Sequence, residues 1–303
     1  MDELLLAQAQ LERGQNYAAV ETLRRVLAEE PELAEAHALL SLSLVNLRRL
    51  HAALFEAREA LQLSPELALA HRCMAAVLLA RRRLEEALEH CNKAITLAPE
   101  SAIGHSQLAA IELAAGRLPK ALQAAKKACA LEPEDPDCLS LLGTCYLHQG
   151  ELAEADRCAA EALQQSPESA DGLILRGRIF LARGDTQAAR EHAIWVLHGD
   201  PANDQALALL VQVKVRESLL LGTWWRANSW LMQSTTRTIG VLAGAYLLQR
   251  TLSIWSHVEG HQMMTQFVTY GWLACCIYSW SGPAIYRRML QKELETVSLR
   301  ADF

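Results

Sequence analysis

Small residues return at fixed positions along the first two thirds of this chain, with a period of 34 residues. One column holds only alanine, at Ala19, Ala53, Ala87, Ala121, Ala155 and Ala189. A second column holds alanine, serine or glycine, at Ala7, Ser41, Ala75, Ala109, Gly143 and Gly177. A fixed period of this length is typical of repeat proteins built from stacked helix pairs. We therefore predict that each column marks a place where two helices come close.

Prolines and glycines divide each period into two helices. Proline lacks an N–H and disfavours helix in the preceding residue, so each column proline should follow the second helix of its repeat. Glycine stands between the paired helices in four repeats, where it can take a positive φ. Arg48 and Arg82 replace that glycine in repeats two and three, and we expect those turns to be less relaxed while the register is kept. The prolines are Pro31, Pro65, Pro99, Pro133, Pro167 and Pro201.

Repeat five carries the fullest version of the pattern, with Leu139, Leu142, Gly143, Tyr146, Gly150, Ala155, Ala159, Ala162 and Pro167. This pattern resembles the tetratricopeptide repeat. The resemblance covers residues 1–203 in six helix-pair units, and it implies an all-α superhelix with a concave and a convex side. Residues 204–216 are expected to form a capping helix.

The charge balance changes near residue 217. Residues 1–216 hold 22 Lys+Arg and 30 Asp+Glu, a balance of −8, and residues 217–303 hold 7 and 5, a balance of +2, which together give the net charge of −6. An acidic repeat region is a poor partner for nucleic acid, so no nucleic-acid binding is expected. Six of the seven tryptophans lie beyond residue 217, a density typical of a membrane interface.

Two segments of the C-terminal part predict transmembrane helices. Residues 262–286 contain no formal charge, and their 25 residues exceed the roughly 20 that span a bilayer. Residues 238–256 predict the partner span, interrupted by Arg250 near its far end, where a guanidinium can reach the interface. The alternative is a buried hydrophobic helix pair that caps the repeats.

Positive residues flank the predicted hairpin on one side only. Arginines precede the first span and follow the second, whereas residues 257–261 between them contain no Lys or Arg. Both ends and the tail, residues 287–303, are therefore expected in the cytoplasm of a plasma or inner membrane. Residues 217–237, with Trp224, Trp225 and Trp230, are expected to form an interfacial helix and linker.

Each predicted span carries a stripe of small residues, which lets helix backbones approach closely in lipid. The first begins at Thr236, just before its span, and continues at Gly240 and Gly244, and the second is Gly271, Cys275 and Ser279. Pairing within one hairpin is one interpretation. Pairing with another copy of the chain, or with other subunits of a membrane complex, is the other.

Two histidine patterns suggest metal binding and are better explained otherwise. His37, His71 and His105 share one column, but helices of neighbouring repeats lie about 8–10 Å apart and cannot bring three nitrogens to about 2 Å from one zinc. We expect these histidines to pack in the column where tetratricopeptide repeats often place tryptophan. His257 and His261 lack the carboxylate directly after the first histidine that a metalloprotease helix needs.

No catalytic chemistry is expected from the remaining motifs. The eight cysteines form no CxxC and are expected to be reduced core residues. Phosphate-binding glycine loops, nucleophile elbows and kinase signatures are absent from the sequence. We therefore expect neither an enzyme, nor a cofactor, nor a metal site.

The concave side made by the first helices is the predicted binding site. In the family that the chain resembles, partner peptides lie along this side, and here it is largely apolar, without the lysine and asparagine clamp for a peptide carboxylate. An apolar groove fits a hydrophobic or amphipathic segment of a protein partner. The predicted groove residues are Leu39, Leu42, Asn46, Arg72, Leu79, Gln107, Leu113, Leu147 and Arg178.

Two functions follow from these features. The first is a membrane-anchored scaffold or assembly factor that binds a protein partner in its groove. The alternative is a structural subunit of a membrane complex whose transmembrane hairpin is the main interface.

Overall fold

The protein is described by a computed structural model, which defines residues 2–201 and 203–217 and four isolated positions, 246, 250, 251 and 270. The chain divides into unit 1, Met1–Leu175, and unit 2, Arg176–Phe303. The described residues form thirteen α-helices and contain no strand. The predicted all-α class is confirmed for this part of the chain.

The helices alternate between first and second members of a pair. The first helices are α1 (Asp2–Glu12), α3 (Ala34–Asn46), α5 (Ala68–Ala80), α7 (Ala102–Ala114), α9 (Pro136–Gln149), α11 (Ala170–Arg183) and α13 (Asp204–Glu217). The second helices are α2 (Asn16–Glu29), α4 (Leu50–Leu63), α6 (Leu84–Leu97), α8 (Leu118–Leu131), α10 (Leu152–Gln165) and α12 (Thr186–Gly199). Helix α13 occupies the segment where a capping helix was expected.

The helices of unit 1 stack in chain order. The first helices from α1 to α9 pack on their second helices, as α3 does on α4, and the second helices from α2 to α8 pack on the first helix of the next repeat, as α4 does on α5. Neighbouring first helices from α1 to α9 also contact each other. In unit 2, α12 packs on α13.

The turns within the repeats have the backbone that the sequence predicts. Gly14, Gly116, Gly150 and Gly184 have φ values of 69°, 74°, 88° and 95°. Arg48 and Arg82 hold the same place with φ values of 59° and 61°. A residue with a Cβ is disfavoured in this left-handed region, so packing of the flanking helices, and not local preference, sets these two turns.

The two small-residue columns form the centre of the helix crossings. All six alanines of the alanine column have 0% exposure, and so do Ala7, Ser41, Ala75 and Ala109 of the other column. A Cβ on Gly143 would lie 2.5 Å from Cδ2 of Leu175, and one on Gly177 would lie 2.6 Å from Cδ2 of Leu209. The glycines therefore form holes that a leucine two helices later fills.

The loops that join successive repeats are fixed in two ways. In repeats two and three the first helix follows Leu33 or Leu67, which supplies no side-chain cap. A histidine ring bonds to the carbonyl oxygen of the column proline there instead. The contacts are His37 Nε2 to Pro31 at 2.9 Å and His71 Nε2 to Pro65 at 2.9 Å.

Later repeats use a capping side chain in the same place. Asp135 accepts hydrogen bonds from the backbone N–H groups of Asp137 and Cys138, and Ser169 accepts one from Gly172. Repeat four has both devices, because Ser101 caps α7 and His105 Nε2 lies 3.1 Å from the carbonyl oxygen of Pro99. Each device satisfies a polar backbone group that would otherwise lack a partner.

The predicted interfacial helix (217–237), the two predicted spans (238–256 and 262–286) and the tail (287–303) lie outside the described residues, apart from Glu217 and the four isolated positions. This includes the tryptophans and small-residue stripes predicted there. Within residues 2–217, no helix is both long enough and apolar enough to span a bilayer. The hairpin stays a prediction.

Candidate partner-binding surface

The leucines of the predicted groove are only partly exposed. Leu42, Leu79, Leu113 and Leu147 lie on α3, α5, α7 and α9 with intermediate exposure. The first three also pack against core clusters of unit 1. Each of these leucines thus keeps part of its apolar surface accessible to a partner.

Leu39 does not belong to the accessible surface. It is 5% exposed and packs in the core that α1 to α7 share. The prediction that it lines the groove is corrected, because a partner would reach its side chain only after the repeats separate.

Three polar residues of the predicted groove bond to neighbouring helices. Asn46 is exposed, and its Nδ2 donates to Oδ1 of Asn16 on α2 at 2.9 Å. Gln107 Nε2 on α7 donates to the carbonyl oxygen of Arg72 on α5 at 2.8 Å. In unit 2, Arg178 Nη2 donates to Oε1 of Gln205 at 3.1 Å. These side chains hold neighbouring repeats together, a role that the sequence prediction did not assign to them.

Gln107 also contains a buried acceptor without a partner. Its Oε1 makes no hydrogen bond and is shielded from solvent, which costs free energy in a folded protein. Since Nε2 is already bound to the Arg72 carbonyl, the amide cannot turn to satisfy the oxygen. The four partly exposed leucines and the amides of Asn46 and Gln107 thus give the first helices of unit 1 an apolar surface with few polar groups.

The histidine column has ring partners on the second helix of the repeat. Nδ1 of His37 lies 2.6 Å from Oε2 of Glu56, and Nδ1 of His71 lies 3.0 Å from Nδ1 of His90. Both partners stand 19 residues after the histidine, a spacing that the sequence reading missed. His105 is buried, 4% exposed, and Ala124 stands at the corresponding position. His105 is thus buried as the packing prediction expects, whereas His37 and His71 are partly exposed and make polar ring contacts.

The six described cysteines are free and mostly buried. Burial raises the pKa of Cys73 and Cys91 to about 12, with a nearby Arg72 charge acting weakly in the opposite direction. Burial likewise raises the pKa of Cys145 and Cys158 to about 11. Since the thiolate is the nucleophile and metal ligand, the raised pKa of these thiols disfavours their reactive form at neutral pH.

Among residues 2–217, no three His, Cys, Asp or Glu side chains converge as metal ligands. The His257–His261 segment lies outside the described residues. The surface therefore offers apolar contact and a few amides, of which that of Gln107 has an unpaired oxygen.

Three segments match models of the tetratricopeptide repeat. They are residues 3–32, 68–101 and 112–179. No curated protein matches the chain in sequence.

Solved structures with the same fold include several bacterial repeat proteins. TTC0263, a thermophilic tetratricopeptide repeat protein of Thermus thermophilus, is 28% identical with a TM-score of 0.54, over 60% of this chain and 97% of that one. A tetratricopeptide repeat protein of Parabacteroides merdae is 17% identical with a TM-score of 0.57, over 70% and 83%.

PilW, described as a widely conserved type IV pilus biogenesis factor, is 21% identical with a TM-score of 0.53, over 69% of this chain and 96% of that one. At this identity, and at that of the Parabacteroides protein, the likeness shows the fold alone. The helix pairs, the two small-residue columns and these matches together establish that the chain contains tetratricopeptide repeats.

Proposed function

We propose that the protein is a membrane-anchored scaffold that binds a hydrophobic or amphipathic segment of a protein partner on the first helices of unit 1. The observation that supports it most is the partly exposed leucine on each of four consecutive first helices, at Leu42, Leu79, Leu113 and Leu147. Leu79, Leu113 and Leu147 share one column of the 34-residue period. Stacked repeats place such a column in a row, which fits an elongated apolar partner.

The membrane part of the proposal rests on the sequence of residues 217–303. An anchor would raise the effective concentration of the groove near a membrane-bound partner, so a modest intrinsic affinity would suffice. Function in this fold depends on the site and not on the fold itself, so the identity of the partner must come from experiment.

The groove is tested by introducing negative charges into its apolar surface. In the double variant Leu79→Glu and Leu113→Glu, a carboxylate would have to be desolvated against the apolar partner. We expect co-purification of the partner in mild detergent to be abolished while the protein still accumulates with its helical circular dichroism.

The matched control adds the same charge outside the first helices. Phe55 and Leu63 lie on α4, a second helix, and are 59% and 40% exposed. The variant Phe55→Glu and Leu63→Glu should retain the partner. Equal loss of the partner in both double variants would contradict a groove-specific site.

The anchor is tested by labelling from the two sides of the membrane. In a cysteine-free background, Glu259→Cys should react with an impermeant maleimide from outside, and Lys292→Cys only after the membrane is opened. The protein should also resist extraction by alkaline carbonate. Release by carbonate, or labelling of both positions from one side, would show that the hairpin prediction is wrong.

A second candidate function is a structural role in a membrane complex. The observation that favours it is the small-residue stripes Gly240 and Gly244, and Gly271, Cys275 and Ser279, in the sequence of the predicted spans. If the partner stays bound to the Leu79→Glu and Leu113→Glu variant but is lost when the hairpin is exchanged for an unrelated one, this second function is the correct one.

A further inference from the structure

His71 and His90 face each other across the α5–α6 pair of repeat three. Their Nδ1 atoms are 3.0 Å apart, and the ring centroids are 5.2 Å apart. This ring separation is near the largest that such a nitrogen contact allows, so each Nδ1 points at the other. The geometry is that of a hydrogen bond between two imidazoles.

The other contact of His71 fixes the proton positions. Its Nε2 lies 2.9 Å from the carbonyl oxygen of Pro65, which can only accept, so Nε2 carries a hydrogen. In neutral His71, Nδ1 is then bare and accepts a hydrogen bond from Nδ1–H of His90. One additional proton can bind at Nε2 of His90 without breaking this bond. A second must bind at Nδ1 of His71, where it would face another N–H.

The surroundings of His90 also oppose protonation. Burial lowers its pKa most, the charge of His71 lowers it further, and Glu89 and Glu86 on the same helix act in the opposite direction. Glu86 is itself paired with Arg83 at 2.5 Å.

Helices α5 and α7 pack on α6, and α3 and α4 pack on α5. Apart from His71, no ionisable side chain of α3, α4, α5 or α7 is among the charges that shift the pKa of His90. Those of α3 and α4 include His37 and Glu56, which bond to each other. These ionisable groups are Arg72, Cys73, His105, Glu112, Glu35, His37, His51, Glu56, Arg58 and Glu59.

Neither neighbouring repeat has two imidazoles in contact at the corresponding positions. In repeat two, Glu56 stands where His90 does, so the ring contact there joins an imidazole to a carboxylate and not to a second imidazole. In repeat four, Ala124 stands there, and the Ser101 cap also holds the loop. Repeat three has no capping side chain at Leu67, so the side chains that hold its α4–α5 loop are His71, through its contact with Pro65, and Glu66, which pairs with Lys93 at 3.3 Å on the exposed surface.

We propose that repeat three of unit 1 is acid-sensitive and unfolds locally when both imidazoles of the His71–His90 pair are protonated. In the opened chain each histidine binds a proton below its usual pKa of about 6.5. The folded pair binds fewer protons, so protection of this repeat is fully present above about pH 6.5 and is lost as the pH falls below it. This property needs neither the groove nor the membrane.

Amide hydrogen exchange of the full chain in detergent tests the proposal at pH 7.5 and pH 5.5. The ratio of the protection of residues 68–97 to that of residues 34–63 is measured in one sample, so the intrinsic pH dependence of exchange cancels. We expect this ratio to fall by up to about tenfold at pH 5.5, since one proton taken up on opening changes an equilibrium tenfold per pH unit. A ratio that does not change would overturn the proposal.

Two variants show whether the histidine pair is the cause. His90→Glu copies the His–Glu pair of repeat two, and His90→Gln removes the second titrating ring. Both should abolish the fall in the ratio between pH 7.5 and pH 5.5. A fall of the same size in His90→Gln would also overturn the proposal, and the wild-type ratio decides the matter if either variant fails to fold.

Discussion

Replacing Leu175 by alanine is expected to destabilise unit 1 by about 2–5 kcal/mol, the cost of emptying a buried leucine site. Leu175 is 1% exposed, and its Cδ2 fills the hole above Gly143. Rigid neighbours line this hole, because a Cβ on Gly143 would also lie 3.0 Å from Cβ of Cys158 and 3.3 Å from the carbonyl oxygen of Ala155. The surrounding helices therefore cannot close it fully.

A double-mutant cycle separates this contact from a general loss of apolar surface. Gly143→Ala alone should destabilise, because the new methyl overlaps Leu175. In the Leu175→Ala background the same methyl fills part of the cavity. The double variant should therefore lose less free energy of unfolding than the two single variants lose together. Urea unfolding of the full chain followed by circular dichroism measures all four proteins. Leu63→Ala, at a site that is 40% exposed, serves as the control and should change stability little.

Enlarging the alanine column should be nearly as damaging. Ala121 has 0% exposure and packs with Ala109 of the small-residue column at the α7–α8 crossing. Ala121→Leu would force these helices apart, which costs about 1–3 kcal/mol. Because each repeat is stabilised by its neighbours, the loss of protection in hydrogen exchange should spread beyond repeat four.

The control for this substitution lies on the same helix. Ala130 is exposed on α8, so Ala130→Leu adds the same side chain without a crossing to overpack. Its midpoint of thermal unfolding should stay near that of the wild type. If Ala121→Leu unfolds at the wild-type temperature as well, the assignment of the alanine column to helix crossings is wrong.

The repeat architecture could be predicted from the sequence because its signals are local and recur. The proline, glycine and alanine columns give the ends of helices, the turns and the crossings without any knowledge of tertiary contacts. At Arg48 and Arg82 the sequence predicts that the register is kept with a less relaxed turn, and the structure shows a left-handed backbone there. Their φ values show that stacking overrides the preference of the residue.

The details of the surface could not be predicted in the same way. Leu39 and Leu42 are both leucines on α3, and only the packing of neighbouring helices decides that the first is buried and the second partly exposed. The ring partners Glu56 and His90 lie 19 residues from their histidines, a distance set by the helix crossing and not by a helical period. The same holds for the bond between Asn46 and Asn16, which joins two repeats.

The way in which the loops are fixed also defines the unit that duplication or grafting could move intact. The residues that fix a loop lie within the stretch from one column proline to the next: Pro31, His37 and Glu56 in one repeat, and Asp135, two residues after Pro133, in another. A 34-residue segment that runs from one column proline to the next therefore carries all the contacts that fix its loop to a new position. One cut at the start of a first helix would leave the accepting carbonyl or the capping side chain behind. Recombination of these repeats should succeed only with the first choice of boundary.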